Sequence, residues 1–276
     1  MVEATKVMKP IRTSYEKRMT VKKILAKVLI YFVLLLLYAP LIYITVYSFT
    51  TNKTTGMWSG FSMDNYTTLF NVSGNKTAQA IWGAAKNTML VALAAAALST
   101  VIGTLGAIGM FYTRRRWYRN TLEFVNQIPV VNAEIVTAVS LCILFTFAAQ
   151  IFGIQRSFLT LVIGHAVFSI PYVVMSVKPK LEQMDPALYE AAIDLGATPH
   201  KALWKVIIPE TIPGILSGFL LAITLSLDDF IVTRFTRGPG LLSGDKSIET
   251  LSTLVQAKIK KGPIPPELRA LTTILF

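Results

Sequence analysis

Apolar runs of membrane length constrain this chain more than any other feature. A helix needs about 20 apolar residues to cross the hydrocarbon core. The chain supplies such runs at 25–47, 88–112, 122–148, 158–177 and 213–233. A last apolar stretch starts near Pro266 and reaches Phe276; 268–276 is too short to cross, so the expectation is a sixth span that is cut off there. In lipid a backbone must satisfy its own polar groups, and long apolar runs do so as helices. The predicted fold is therefore all-α, a polytopic transmembrane bundle of about six spans. The first run, from Ile24 to Phe49, is too long for a signal-peptide core and has no small-x-small site behind it, so it reads as a retained anchor. Two regions follow: a basic N-terminal segment, 1–23, and a transmembrane domain, 24–276.

Composition supports this and narrows the class. Of 276 residues, 53% are hydrophobic and only 15% charged, too apolar and too charge-poor for a soluble domain. The net charge of +12 does not indicate a nucleic-acid partner, because the basic residues sit at the ends of apolar runs. Lys6, Lys9, Arg12, Lys17, Arg18, Lys22, Lys23 and Lys27 precede or open the first run, and Arg114, Arg115, Arg116 and Arg119 follow the second. The positive-inside rule then puts the N-terminus in the cytoplasm, with 114–119 and the polar segment 178–212, and puts 50–86, 150–156 and 234–265 outside. The last outer loop fits poorly, since it carries Arg234, Arg237, Lys246, Lys258, Lys260 and Lys261. Longer loops follow the rule less strictly. Cys142, the single cysteine, reads as a small packing residue.

Small residues supply the packing signal. Ser99, Gly103 and Ala107 form one close-approach face on the second span, and Gly214 with Gly218 forms another on the fifth. Trp58, Phe61, Tyr66, Leu69 and Phe70 in the first outer loop are enough apolar surface for a short helix.

The polar segment 178–212 carries a helix-turn-helix pattern. Asp185 can cap a helix that starts at Pro186, and Gly196 can end it with positive φ. Thr198 and Pro199 repeat the start signal, and Pro209 is expected to close the second helix. Glu190, Ala191, Ala192 and Gly196, followed by Val206, Ile208 and Pro209, resemble the Glu-Ala-Ala loop of the ABC importer permeases. Val206 and Ile208 depart from that pattern only by apolar replacement. The resemblance implies a bundle of the type I importer permease kind. It also implies that Glu190, Ala191, Ala192 and Gly196 couple the chain to an ATPase subunit present in two copies.

Charged residues inside spans are costly and usually face protein or a water-filled path. Glu134 falls in the third predicted span, and Asp228 and Asp229 fall in the fifth; no basic residue lies within the predicted spans beyond their ends. Adjacent helical residues point about 100° apart, so the two aspartates cannot line one face equally. One would face the path and the other pair with Arg234 or a backbone donor. All three also read as helix-end caps or interfacial ion pairs. The run from Thr224 through Asp228, Asp229 and Phe230 to Thr233, with Gly238 and Pro239, is similar to the C-type subunit of the spermidine/putrescine permeases; so are Trp58, Gly60, Phe61 and Tyr66 and the order of spans. That resemblance implies Glu134, Asp228 and Asp229 as the substrate pathway. It implies as partners a B-type permease subunit forming a heterodimer, two copies of an ATP-binding subunit, and an extracytoplasmic polyamine-binding protein. The implied location is a bacterial plasma (inner) membrane.

Catalytic and metal signatures fail. The stretch from Gly240 to Ser247 hints at a phosphate loop but has the wrong spacing and an Asp before Lys246. ATP and Mg are therefore expected on the partner ATPase, with no cofactor, metal or enzyme chemistry in this chain. His165 and His200 lack metal-ligand neighbours in sequence, and His165 reads as a polar packing residue. The alternatives are an importer permease for another small solute, such as thiamine, ferric ion or an oxyanion, and a channel.

Overall fold

The computed structural model describes residues 14–52, 56–153, 155–238, 248–262 and 264–275. Among them every regular element is a helix. In chain order these are α1 (Ser14–Tyr47), α2 (Asp64–Phe70), α3 (Lys76–Tyr112), α4 (Arg116–Val131), α5 (Glu134–Phe152), α6 (Phe158–Glu182), α7 (Ala187–Asp194) and α8 (Pro199–Ala202). A π-helical turn (Leu203–Ile207) leads into α9 (Ile208–Asp228), followed by α10 (Ile231–Thr236), α11 (Leu251–Lys261) and α12 (Pro266–Leu275). Five helical stretches are long and apolar enough to cross a membrane: Lys22–Tyr47, Lys76–Tyr112, Glu134–Phe152, Phe158–Glu182 and Pro199–Asp228. These match the five complete predicted spans in number but differ in bounds, and the third differs most. The apolar run 122–148 is broken, because Asn132 and Ala133 are extended and separate α4 from α5. Pro129 in the last turn of α4 weakens the helix just before the break. Glu134 therefore opens α5 instead of lying mid-span.

The chain forms two compact units. In the larger, Val72–Gly262, the core is a three-helix contact of α3, α6 and α9. Lipid tails are as apolar as leucine, so such helices gain little from hydrophobic burial and must gain from close packing. The small residues provide it. A side-chain carbon on Gly103 of α3 would lie 2.8 Å from Val173 of α6, and one on Gly218 of α9 would lie 3.2 Å from the same valine. Val173 is thus seated between two glycines on different helices. Ser99, Ala107 and Gly214 are buried in the same helices, as expected. Gly103→Leu should cost about 1–3 kcal/mol of overpacking and lower the melting temperature of the detergent-solubilised protein. An unchanged melting temperature would mean that α3 and α6 are not held this way.

In the second unit, made of the described residues of 1–71 and 263–276, Arg269 of α12 is buried. It donates to the carbonyls of Asn52 (3.0 Å) and Ile264 (3.1 Å). The loop before α2 is built on aromatic contacts, with Phe49 stacked on Phe61 and against Tyr66 at 5.3 Å each. Asn65, in α2, donates to the carbonyls of Ser48 and Thr50. The expected short helix in this loop is present as α2. Over 22–40 every side chain of α1 is exposed and most are apolar, as suits a helix covered by lipid. The candidate phosphate loop, 240–247, lies outside the described residues, as do Lys6, Lys9, Arg12 and Pro239.

Candidate functional sites

The break between α9 and α10 collects the polar groups of the bundle. α9 stops at Asp228, Asp229 is extended, and α10 resumes at Ile231. Asp229 is buried, and its Oδ1 accepts the Val232 N–H at 2.9 Å, which ties down the first turn of α10. Its carbonyl accepts the hydroxyls of Thr233 and Ser252, each at 3.0 Å. His165 of α6 closes the cluster, with Nδ1 at 2.7 Å from Ser226 Oγ and Nε2 at 2.9 Å from Thr233 Oγ1. The hydrogen inventory assigns the tautomer. Thr233 spends its one hydroxyl hydrogen on the Asp229 carbonyl, so Nε2–H must donate to Thr233. Nδ1 of the neutral ring then accepts from Ser226. Asp229 Oδ2 lies 3.6 Å from Nε2, too far for a hydrogen bond, and has no hydrogen-bond partner among the described residues.

The three acidic residues singled out in the sequence lie within electrostatic reach of this break. Glu134, half-buried in the first turn of α5, and Asp228 are the charged side chains that act electrostatically on Asp229. The α5 N-terminus is a favourable place for the Glu134 carboxylate, because the helix dipole is positive there. α10 seats on α5 through Val232, packed with Ala138, Leu141 and Phe145. Asp228 is exposed from this chain and Asp229 is buried, so the two diverge as expected. Of the two expected partners of the second aspartate, Arg234 or a backbone donor, the structure shows the backbone donor, Val232 N–H. His165 is the polar packing residue that the sequence suggests, held by partners 61 and 68 residues away.

The second site is the polar connection after α6. The Asp185 side chain accepts the Ala187 N–H at 2.9 Å, starting α7. α7 ends in a Schellman turn: Gly196 N–H bonds Ile193 O at 2.8 Å, Ala197 N–H bonds Ala192 O at 3.0 Å, and Gly196 has φ +81°. The Thr198 hydroxyl accepts from Lys201 N–H at 3.4 Å, with Pro199 in the first turn of α8. Both start signals and the glycine stop are as expected. Pro209 is not a stop. The preceding turn widens to a π turn, in which Ile208 N–H reaches back to Leu203 O, and the helix continues from α8 into α9 with Pro209 in its first turn. Glu190, Ala191 and Gly196 are exposed and Ala192 is half-buried; Leu195, beside them, is 90% exposed. Tyr189 anchors α7 by packing on Tyr112, the last residue of α3, at 5.6 Å.

A third polar feature lies where α6 approaches this connection. α6 runs past the predicted bound of 177 to Glu182, which brings Lys178 into the helix. Lys178 Nζ lies 2.6 Å from Glu123 Oε1 of α4 and 3.7 Å from Glu182 Oε1. The pair borders a cavity of about 260 Å³ between α3, α4 and α6.

Residues 100–255 match the family model described as binding-protein-dependent transport system inner membrane component. The chain is 33% identical over 242 residues to the putrescine transport system permease protein PotI of Escherichia coli (strain K12), covering 87% of this chain and 81% of that protein. It is 35% identical over 240 residues to the spermidine/putrescine transport system permease protein PotC of Haemophilus influenzae, covering 87% and 86% respectively. Among solved structures, the MetNI methionine ABC transporter in inward-facing conformations superposes with TM-score 0.55 at 18% identity, covering 71% of this chain and 87% of that one. At that identity the likeness concerns the fold, which is that of the type I importer permeases.

Proposed function

Because the chain belongs to the binding-protein-dependent transport system inner membrane component family, we propose that it is the permease subunit of an ABC importer that carries spermidine or putrescine into the cell. One observation carries the choice of substrate beside the names of the relatives. Glu134 (half-buried) and Asp228 (exposed) act electrostatically on the buried Asp229 at a helix break, and no lysine or arginine forms an ion pair with them among the described residues. Acidic side chains without a basic partner suit a substrate that brings its own ammonium groups, which replace hydration lost on binding. Phe230, at the break, offers a face to the methylenes or a cation–π contact.

In this reading the N-terminus is cytoplasmic. A B-type permease subunit completes the pathway. Two ATPase copies bind ATP and Mg and dock under the Glu-Ala-Ala loops, and an extracytoplasmic binding protein delivers the substrate. Closure of the ATPases then rocks the bundles between outward-open and inward-open states. The test is ATP-dependent uptake of labelled spermidine and putrescine by the reconstituted complex. Uptake of both, competed by neither thiamine nor an oxyanion, is the expected result. Intact ATPase assembly without polyamine uptake would leave an importer for another solute, and conduction independent of ATP would leave a channel.

A further inference from the structure

The cavity beside Lys178 is a site that the acidic cluster at the α9–α10 break does not explain. Its charged lining is Glu123, Lys178 and Glu182, so two carboxylates face one ammonium. Asn126 and Gln127 of α4 add carboxamides, and Val174 and Met175 of α6 give an apolar wall. Pro179, also in the lining, has no N–H for the carbonyl of Met175, which leaves that oxygen without its usual helical donor. Lys178 has two carboxylates in reach, at 2.6 and 3.7 Å, and a half-open pocket of about 260 Å³ adjoins them. The Lys178 side chain is itself four methylenes ending in an ammonium, so the structure already shows that an alkylammonium fits between these carboxylates.

We propose that this cavity is a second alkylammonium subsite, next to the coupling connection, at which Lys178 is a displaceable counter-ion. This inference rests on the polyamine reading. A substrate ammonium entering the cavity takes Glu123 or Glu182 from Lys178. The freed lysine then repels the cation, so the site binds weakly enough to release it. The first acidic cluster has no such built-in competitor, and the two sites together give a path from tighter to weaker binding toward the docking connection.

The experiment is equilibrium binding of labelled spermidine to the purified complex, without ATP or binding protein, for wild type, Lys178→Met, Lys178→Arg and Glu123→Gln. Uptake and thermal stability are measured on the same preparations. The proposal requires effects of opposite sign: Lys178→Met should bind about threefold tighter and Glu123→Gln about threefold weaker, the size set by a partly exposed ion pair. Lys178→Arg keeps the competitor and the fold, and should bind close to wild type. Two variants that weaken binding together, or that leave it unchanged while wild type binds and transports spermidine, overturn the subsite and spare the polyamine reading. A wild-type complex that assembles but neither binds nor transports spermidine overturns both.

Discussion

Gly196→Val is expected to reduce ATP-dependent uptake more than tenfold while leaving membrane insertion intact. A side-chain carbon at this position meets nothing within 4 Å, so crowding is not the cause. The cause is φ at +81°, a conformation that costs an L-residue about 1–2 kcal/mol and a β-branched one more. That cost falls on a turn held by two backbone hydrogen bonds and exposed to solvent, so it shifts the turn without disturbing the α3–α6–α9 packing. The series at this position identifies the mechanism. Asn enters the left-handed region readily and should keep most uptake, Ala should lose part, and Val nearly all. Uptake and ATPase rates in proteoliposomes are the measurements. Normal transport by Gly196→Val would remove this turn from the coupling path.

The second large effect separates the two aspartates. Asp228→Asn removes a charge at an exposed position with no hydrogen bond to preserve among the described residues, and should raise the KM for spermidine about tenfold, the worth of one hydrogen bond to a charged group. Asp229→Asn keeps an acceptor for the Val232 N–H and should leave KM within about threefold. Asp229→Ala removes that acceptor and should cost about 0.5–2 kcal/mol of stability, as loss of a helix cap does. Concentration-dependent uptake beside thermal denaturation resolves the three variants. If Asp229→Asn alone raises KM, the buried carboxylate is the one that meets the cation and Asp228 is peripheral.

What the sequence disclosed and what it withheld divide along a physical line. The features legible in advance are local: the capping side chains of Asp185 and Thr198, the glycine at a left-handed turn, and the small-residue faces at helical spacing. Each is decided within a few residues of chain. The break at Asn132 was missed because hydropathy averages over a window, and two extended residues barely change the mean of a long apolar run. Pro209 misled for a related reason: a proline ends a helix only where its missing donor is needed, and a π turn just before it moves that requirement. The partners of His165 and the Glu123–Lys178 pair were invisible because sequence carries no record of contacts 55 to 68 residues apart. The three acidic residues could be nominated from their cost in lipid. That Glu134 acts on an aspartate 95 residues away is a tertiary fact.

The helix that begins beside the Glu-Ala-Ala turn and ends at Asp228 is mechanically uneven. Over Pro199–Asp228 it is about 45 Å of nearly continuous helix at 1.5 Å per residue. Its compliance is concentrated at the foot, where the π turn, Pro209 and Pro213 fall within a few turns of its N-terminal end. Proline removes a rung of the hydrogen-bond ladder, and a widened turn loosens the winding. Beyond Pro213 no proline interrupts the shaft. A shaft soft at its root and stiff along its length bends at the root, so a small displacement there sweeps the far end through a larger arc. A swing of about 10° at the root carries the tip of the roughly 22 Å shaft beyond Pro213 through about 4 Å. That distance is comparable to the reach of a charge contact, and Asp228 sits at the tip.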